Sequence, residues 1–382
     1  MLLIFPMQLS NNGDNMSSLA LDETKIAWHK DRINAWLNNK RFAPITIDCS
    51  LTRKCNYKCV YCYGQLQANH EERNMTKDVI FKFLDDCAEM GVKGISFVSD
   101  GESTCNPNIY DAIIRGKNNG IDMALGTNGS LLKKDRLEDI LPALTYLRFN
   151  YSAAQPERYA EVMGTHISSF DKVNSIIRKC IEIKNNKKLS VTIGLQMVLL
   201  PEFSDQIIPL SKLGMDLGVD YLVIKHCGDD EKGTLGVKYD KYFELTDLLK
   251  KAETYSTNNY LVKAKWSKIL SGGKRYYSEC YGPPFLLQLS GSGLLAPCGA
   301  LFNNRYKRYH IGNIFDISFK EMWRSDRYWE IMDLISSKKF DAKTMCCALC
   351  IQHKTNEFLW SIKNGAPYKP PNGEPPIHLN FI

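Results

Sequence analysis

The chain has 382 residues, enough for one large domain with an appendage or for two domains. Its 44% hydrophobic and 24% charged residues are those of a globular protein, and its net charge of +7 comes without a Lys/Arg run or a basic helix stripe, which excludes a nucleic-acid footprint. Thirteen cysteines, an odd number without a secretory pattern, exclude a disulfide framework and imply a reducing compartment. The N-terminal MLLIFPM is too short for a signal core and runs into polar SNNGDNMSS, and no later stretch has the apolar length of a membrane span. A cytoplasmic protein without membrane or nucleic-acid partners is expected, with residues 1 to about 20 disordered and Met16 an alternative start.

In chain order, Ile26, Trp28, Ile33, Trp36 and Leu37 predict a packing helix within 22–39. The first strand is PITIDCS, 44–50, and its end delivers the loop LTRKCNYKCVYCYG, 51–64. A helix starts at the N-cap Thr76 and closes at Gly91. Strand and helix then alternate: GISFV (94–98) and a helix from about Ile109; IDMALG (121–126) and a helix from about Lys134; YLRFNY (146–151) and helices near Glu157 and Phe170. LSVTIGLQMVLL (189–200) precedes a helix from about Ser204, and YLVIK (221–225) one from about Tyr239. Six strand-helix units predict a parallel α/β sheet.

Cys55, Cys59 and Cys62 form C-x3-C-x2-C, three thiolates from one tight loop. A structural zinc wants four ligands, whereas an iron-sulfur cluster with one uncapped iron keeps a position for a substrate. Half of a zinc site, or ordinary buried thiols, are the alternatives. With Tyr61 just before the last cysteine, the triplet resembles the signature of the radical S-adenosylmethionine enzymes. That resemblance implies a 4Fe-4S cluster whose fourth iron is chelated by S-adenosylmethionine, and reductive cleavage to a 5'-deoxyadenosyl radical that takes hydrogen from the substrate. It also implies a partial (β/α)6 TIM-like barrel, in agreement with the six units.

In such folds the chemistry sits at the C-terminal strand ends. Gly101-Glu102, after the second strand, resembles the family's Gly-Gly-Glu-Pro motif contacting the cofactor's amino group, although Asp100 and Ser103 stand where Gly and Pro are common. Thr127, Asn128 and Gly129 resemble a Thr-Asn-Gly turn beside the cofactor, and a plain turn explains them too. Ser152 matches a polar position that often touches the cofactor, or is a strand cap; Lys225 and His226 are candidates to face the substrate or to rim the barrel.

Past about residue 260 the pattern changes to a hairpin, FLLQL and LLAPC around Gly291 and Gly293. Cys280, then twelve residues to Gly293 and four to Cys298, with Cys347 and Cys350 as C-x2-C, is a two-plus-two metal layout. It resembles the auxiliary-cluster module of the SPASM and twitch subfamily, a small α+β domain, and 309–323 looks like its strand-turn-helix. No cysteine follows Cys350, so the resemblance implies a twitch-like form with a single auxiliary 4Fe-4S cluster. A zinc knuckle on the same cysteines, Cys346 replacing Cys347, and His353 as a neighbour of the site stay open. The expected divisions are 1–43 (tail and packing helix), 44–259 (barrel), 260–352 (auxiliary domain) and 353–382 (proline-rich extended tail).

In twitch-bearing relatives of the resembled family, an auxiliary cluster takes the electron left after hydrogen abstraction from an alcohol carbon. The expectation is therefore a redox enzyme on a small polar metabolite, a sugar or nucleotide-sugar, served by a flavodoxin or ferredoxin. The alternatives are a radical epimerase using Cys105 or Cys227 as hydrogen donor, a maturase of ribosomal peptides, and a non-enzymatic metal scaffold. Against the maturase, only about 43 residues precede the first strand, short of the domain-sized peptide-binding unit such enzymes usually add.

Overall fold

Apolar residues at every second position of short β-branched runs, broken by amphipathic helical stretches, dictate strands that bury both faces. The computed structural model describes residue 19 and residues 25–67, 74–345 and 350–382. The parallel strands are β1 (Thr46–Cys49), β2 (Gly94–Phe97), β3 (Asp122–Thr127), β4 (Leu144–Asn150), β5 (Thr192–Leu199), β6 (Tyr221–His226) and β7 (Leu261–Ala264). They are followed by β8 (Leu286–Leu289), β9 (Leu294–Ala296) and β10 (Gly312–Asn313), and the sheet order is β10-β9-β8-β1-β2-β3-β4-β5-β6-β7. A partial TIM-like barrel is the result.

The two-residue period sorts each strand into two faces. Ile47, Ile95, Leu125, Leu147, Phe149, Leu195 and Ile224 are fully buried and pack in one core with helix residues such as Phe83, Ile113, Ile177 and Leu210. Their neighbours Asp48, Arg148, Gln196 and Lys225 line the lumen instead.

The helices form where caps allow. Thr76 accepts from the Val79 amide and Gly91, at φ 85°, ends helix Lys77–Met90. Pro156 opens helix Pro156–Met163, and Gly164, at φ 58°, closes it. The packing helix is Lys30–Leu37, preceded by a 3-10 turn at Lys25–Trp28. The expectations for residues 1 to about 20 lie outside the described residues except at Leu19, which packs against Tyr221 and Val223.

The structure departs from the sequence reading in three places. β7 adds a seventh parallel strand beyond the expected boundary at 259. The hairpin, expected to open a separate module, continues the barrel sheet, because β8 pairs in parallel with β1, Asp48 opposite Gln288. The expected extended tail begins instead as helix His353–Lys363, with Thr355, Asn356 and Leu359 buried. The remaining chain crosses the N-terminal strand ends: Thr46 Oγ1 donates to Asn380 O (2.7 Å), Asn380 Nδ2 to Asp122 Oδ2 (2.8 Å), and Phe381 packs edge-on against Tyr146. This segment closes the bottom of the lumen.

Candidate active site and auxiliary centre

The cysteine loop leaves the C-terminal end of β1 and is fixed by its backbone. Lys58 N donates to Gly164 O and Val60 N to Val162 O (both 3.1 Å), so the loop lies on the end of helix Pro156–Met163. A Cβ on Gly164 would stand 2.0 Å from Lys58 O. Thr52 is clamped similarly: added Cβ atoms would come within 2.0 Å of it at Gly101 and 2.1 Å at Gly291. Glycine is required at all three positions because backbone approaches backbone there.

Cys55, Cys59 and Cys62 are brought together, close enough to interact electrostatically with one another. Burial is the main cause that pushes the Cys55 and Cys59 thiols up to about 12. Both are therefore thiols at neutral pH, and a cysteine must give up that proton to become a metal ligand. Tyr61 is buried, with its hydroxyl against Ser152 and 3.1 Å from Met163 Sδ. Ser152 also accepts from Val198 N at 3.1 Å, so it caps strands as well as touching the loop.

Glu102 is buried and knits two strand ends. Its Oε1 accepts from Thr104 N (3.1 Å), Thr104 Oγ1 (2.7 Å) and Thr127 Oγ1 (2.7 Å), and its Oε2 from Asn128 N (2.7 Å). Asn128 Nδ2 donates to Asn56 Oδ1 inside the cysteine loop (3.0 Å). Gly101, Glu102, Thr127 and Asn128 therefore share one rim with Cys55. The departure at Asp100 has a physical reason: its buried carboxylate accepts from Ser290 Oγ (2.5 Å) and Gly291 N (2.9 Å) and faces Arg53 Nε at 3.3 Å. Asp100 thus bolts the second strand end to the hairpin turn. Burial, its largest influence, holds that carboxyl above the usual range.

Lys225 and His226 part company. Lys225 lines the lumen, whereas His226 lies among Tyr239 and Tyr242 with Nδ1 2.6 Å from Cys227 O. Cys227 lies 3.8 Å from Tyr61 O, and Cys105 is 4.0 Å from Asn56 Oδ1, so the two thiols stand beside different parts of the loop.

Cys280, Cys298 and Cys350 line one small apolar pocket with Pro297, Leu301 and Phe340. Cys346 and Cys347 lie outside the described residues. Asn356, which the sequence did not single out, organises the pocket. Its Oδ1 accepts from Tyr281 N and Gly282 N (both 2.8 Å), which fixes the amide so that Nδ2 points at Cys280 Sγ (3.5 Å) and Cys350 Sγ (3.9 Å). Tyr277 OH lies 3.3 Å from Cys350 Sγ and 3.1 Å from His353 Nδ1, so His353 reaches the pocket through a tyrosine. Among the described residues no three His, Cys, Asp or Glu side chains converge as ligands of a single metal ion. A cluster binds each sulfur to a different iron, and amide donors aimed at sulfur suit such a body.

The two centres adjoin. Gln67 Nε2 donates to Gly299 O (2.7 Å), Asn303 Nδ2 to Leu66 O (3.0 Å), and the Tyr63 hydroxyl occupies the space a Cβ on Gly299 would need. The residue after Cys62 therefore touches the residue after Cys298.

A partial barrel with a three-cysteine loop on its first strand, and a cysteine-lined pocket behind the hairpin, defines a class of cluster-bearing α/β proteins. Residues 49–210 match the Radical SAM superfamily and residues 280–351 the SPASM iron-sulfur cluster-binding domain. The chain thus carries a radical S-adenosylmethionine domain followed by a C-terminal SPASM domain. A tungsten-containing aldehyde ferredoxin oxidoreductase cofactor-modifying protein of Pyrococcus furiosus is 22% identical over 293 residues, 73% of this chain and 80% of that one. A GTP 3',8-cyclase of Clostridium perfringens is 31% identical over 185 residues, 46% of this chain, and the match spans about half of the cyclase, 53%. Streptococcus suis SuiB bound to S-adenosylmethionine superposes with TM-score 0.62 at 16% identity, covering 90% of this chain and 80% of that one, a likeness of fold. The two domains bring a 4Fe-4S cluster with S-adenosylmethionine and auxiliary iron-sulfur chemistry, and the thiol sets and sulfur-directed amide fit them. Among the described residues no helix is long and apolar enough to cross a membrane.

Proposed function

We propose that Cys55, Cys59 and Cys62 hold the 4Fe-4S cluster that binds S-adenosylmethionine, with Gly101, Glu102, Asn128, Tyr61 and Ser152 shaping the cofactor's seat. Cys280, Cys298, Cys347 and Cys350 hold one auxiliary 4Fe-4S cluster, and the enzyme oxidises an alcohol of a sugar or nucleotide-sugar to a ketone. When bound, the first cluster and its cofactor supply a 5'-deoxyadenosyl radical that takes a hydrogen atom from the substrate. The chain's own residues supply the rest. Glu102 and Asn128 hold the rim rigid against the cysteine loop, and Tyr63 lines the lumen beneath it. Asp48 lines that lumen, its Oδ2 accepting from Gln288 Nε2 at 2.9 Å, and burial pushes its carboxyl up to about 6. It is the base that takes the hydroxyl proton of the alcohol.

The observation that carries the oxidative reading is the contact between the residues following Cys62 and Cys298. Removing two electrons from an alcohol needs somewhere for the second electron to go, and that contact supports a short path out. Product analysis tests it. Oxidation predicts one 5'-deoxyadenosine per ketone formed, with an acid limb near pH 6 that disappears, with most of the activity, in Asp48→Asn. A cross-linked peptide product, or an acid limb unchanged in Asp48→Asn, would contradict it.

A further inference from the structure

The lumen is a chamber of about 210 Å³. Among the described residues its lining includes the cationic side chains of Lys25, Arg148, Lys225, Lys265 and Lys268 and the carboxylate of Asp48. Arg148 lies beside Tyr146, its guanidinium carbon 5.7 Å from the ring centroid. Its Nε is buried and has no hydrogen-bond partner. An unsatisfied buried N–H is costly, and on a guanidinium it marks a place where an acceptor belongs. Tyr63 and Ser99, sequence neighbours of Cys62 and Asp100, line the same chamber, while His378 and Phe381 line its closed end. The chamber therefore runs from the cysteine loop down to that closed end, with Arg148, opposite Gly126, and Lys225, near the C-terminal end of β6, on its wall toward the loop.

We propose that the wall of this chamber at Arg148 and Lys225 is a subsite for an anionic group of the substrate, a phosphoryl or carboxylate group gripped by those two side chains. The rest of the substrate then lies between that wall and Tyr63, which lines the same chamber beside the cysteine loop. The fork of a guanidinium suits a group with two or three equivalent oxygens. The inference rests on the lumen being the substrate chamber of the proposed enzyme, and it narrows the substrate to a metabolite bearing an acidic group.

The test is calorimetric titration of the anaerobically reconstituted holoprotein with inorganic phosphate and, separately, with acetate at fixed ionic strength. Saturable binding is expected, weakened about tenfold or more in Arg148→Gln and in Lys225→Gln. It should be unchanged in Lys179→Gln, whose exposed ammonium pairs with Glu182 on an outer helix. Preference for phosphate assigns a phosphoryl group, preference for acetate a carboxylate, and either supports the subsite. If Arg148→Gln melts early, Arg148→Lys, which keeps the charge and loses the fork, is expected to fall between. No saturable binding of either anion, or equal binding in wild type and both lumen variants, would overturn the proposal. The titration needs no turnover, so failure to cleave S-adenosylmethionine would sink the enzymatic reading without touching this result.

Discussion

Asn356 shows how one side chain can set the character of a centre. Two backbone amides hold its oxygen, so its nitrogen is turned toward Cys280 and Cys350. Hydrogen bonds to sulfur favour the more negative, reduced state of a cluster, and losing them lowers the potential. Asn356→Asp keeps an acceptor for both amides and removes the donor. The expected outcome is an auxiliary potential about 60 mV or more below wild type, the one-electron equivalent of about 1.4 kcal/mol, read by an EPR-monitored redox titration. An unchanged potential would mean that the amide does not address the cluster. Nothing in the local sequence marks Asn356, because its role depends on residues 74 to 76 positions away. Cys55, Cys59 and Cys62 were legible for the opposite reason: all three cysteines sit within eight residues, so spacing alone encodes the loop. Asp100 lies between these cases. The sequence showed its departure from a glycine, and the partner that explains it, Ser290, appears only in three dimensions.

At the scale of elements, the cysteine loop depends on the end of helix Pro156–Met163. Gly164 both ends helix Pro156–Met163 in the left-handed region and lets Lys58 approach. Gly164→Ala meets strain and overlap together, and should destabilise the protein by about 2 kcal/mol while loosening the loop. Thermal melting and iron content check this. The expected result is a lowered melting temperature with iron lost preferentially from the first cluster, and the auxiliary cluster retained. Units β1 to β6 were readable because each strand and helix carries its own period and caps. β7 is only four residues long, too short for its own period to mark a strand in the sequence. The β8–β1 pairing joins segments some 240 residues apart, a relation no local pattern encodes. Helix His353–Lys363 was hidden by the proline-rich stretch after it.

At the scale of the whole molecule, one sheet carries both centres. Because β8 continues the barrel beside β1, the hairpin turn reaches the start of the cysteine loop, and Asp100, Gly291 and Thr52 meet there. The auxiliary pocket is thereby held against the barrel mouth through Tyr63, Gln67 and Asn303. The C-terminal segment seals the other end, leaving a polar, basic chamber under the cysteine loop.

The most direct test of this account is an anaerobic iron count paired with an assay of S-adenosylmethionine cleavage. It compares wild type with a Cys55→Ala, Cys59→Ala, Cys62→Ala triple variant. Two clusters predict about eight irons per chain in wild type and about four in the variant. 5'-Deoxyadenosine should form only in wild type under strong reductant. Zinc in place of iron, or 5'-deoxyadenosine from the triple variant, would contradict the assignment of the cysteine loop as the radical-generating site.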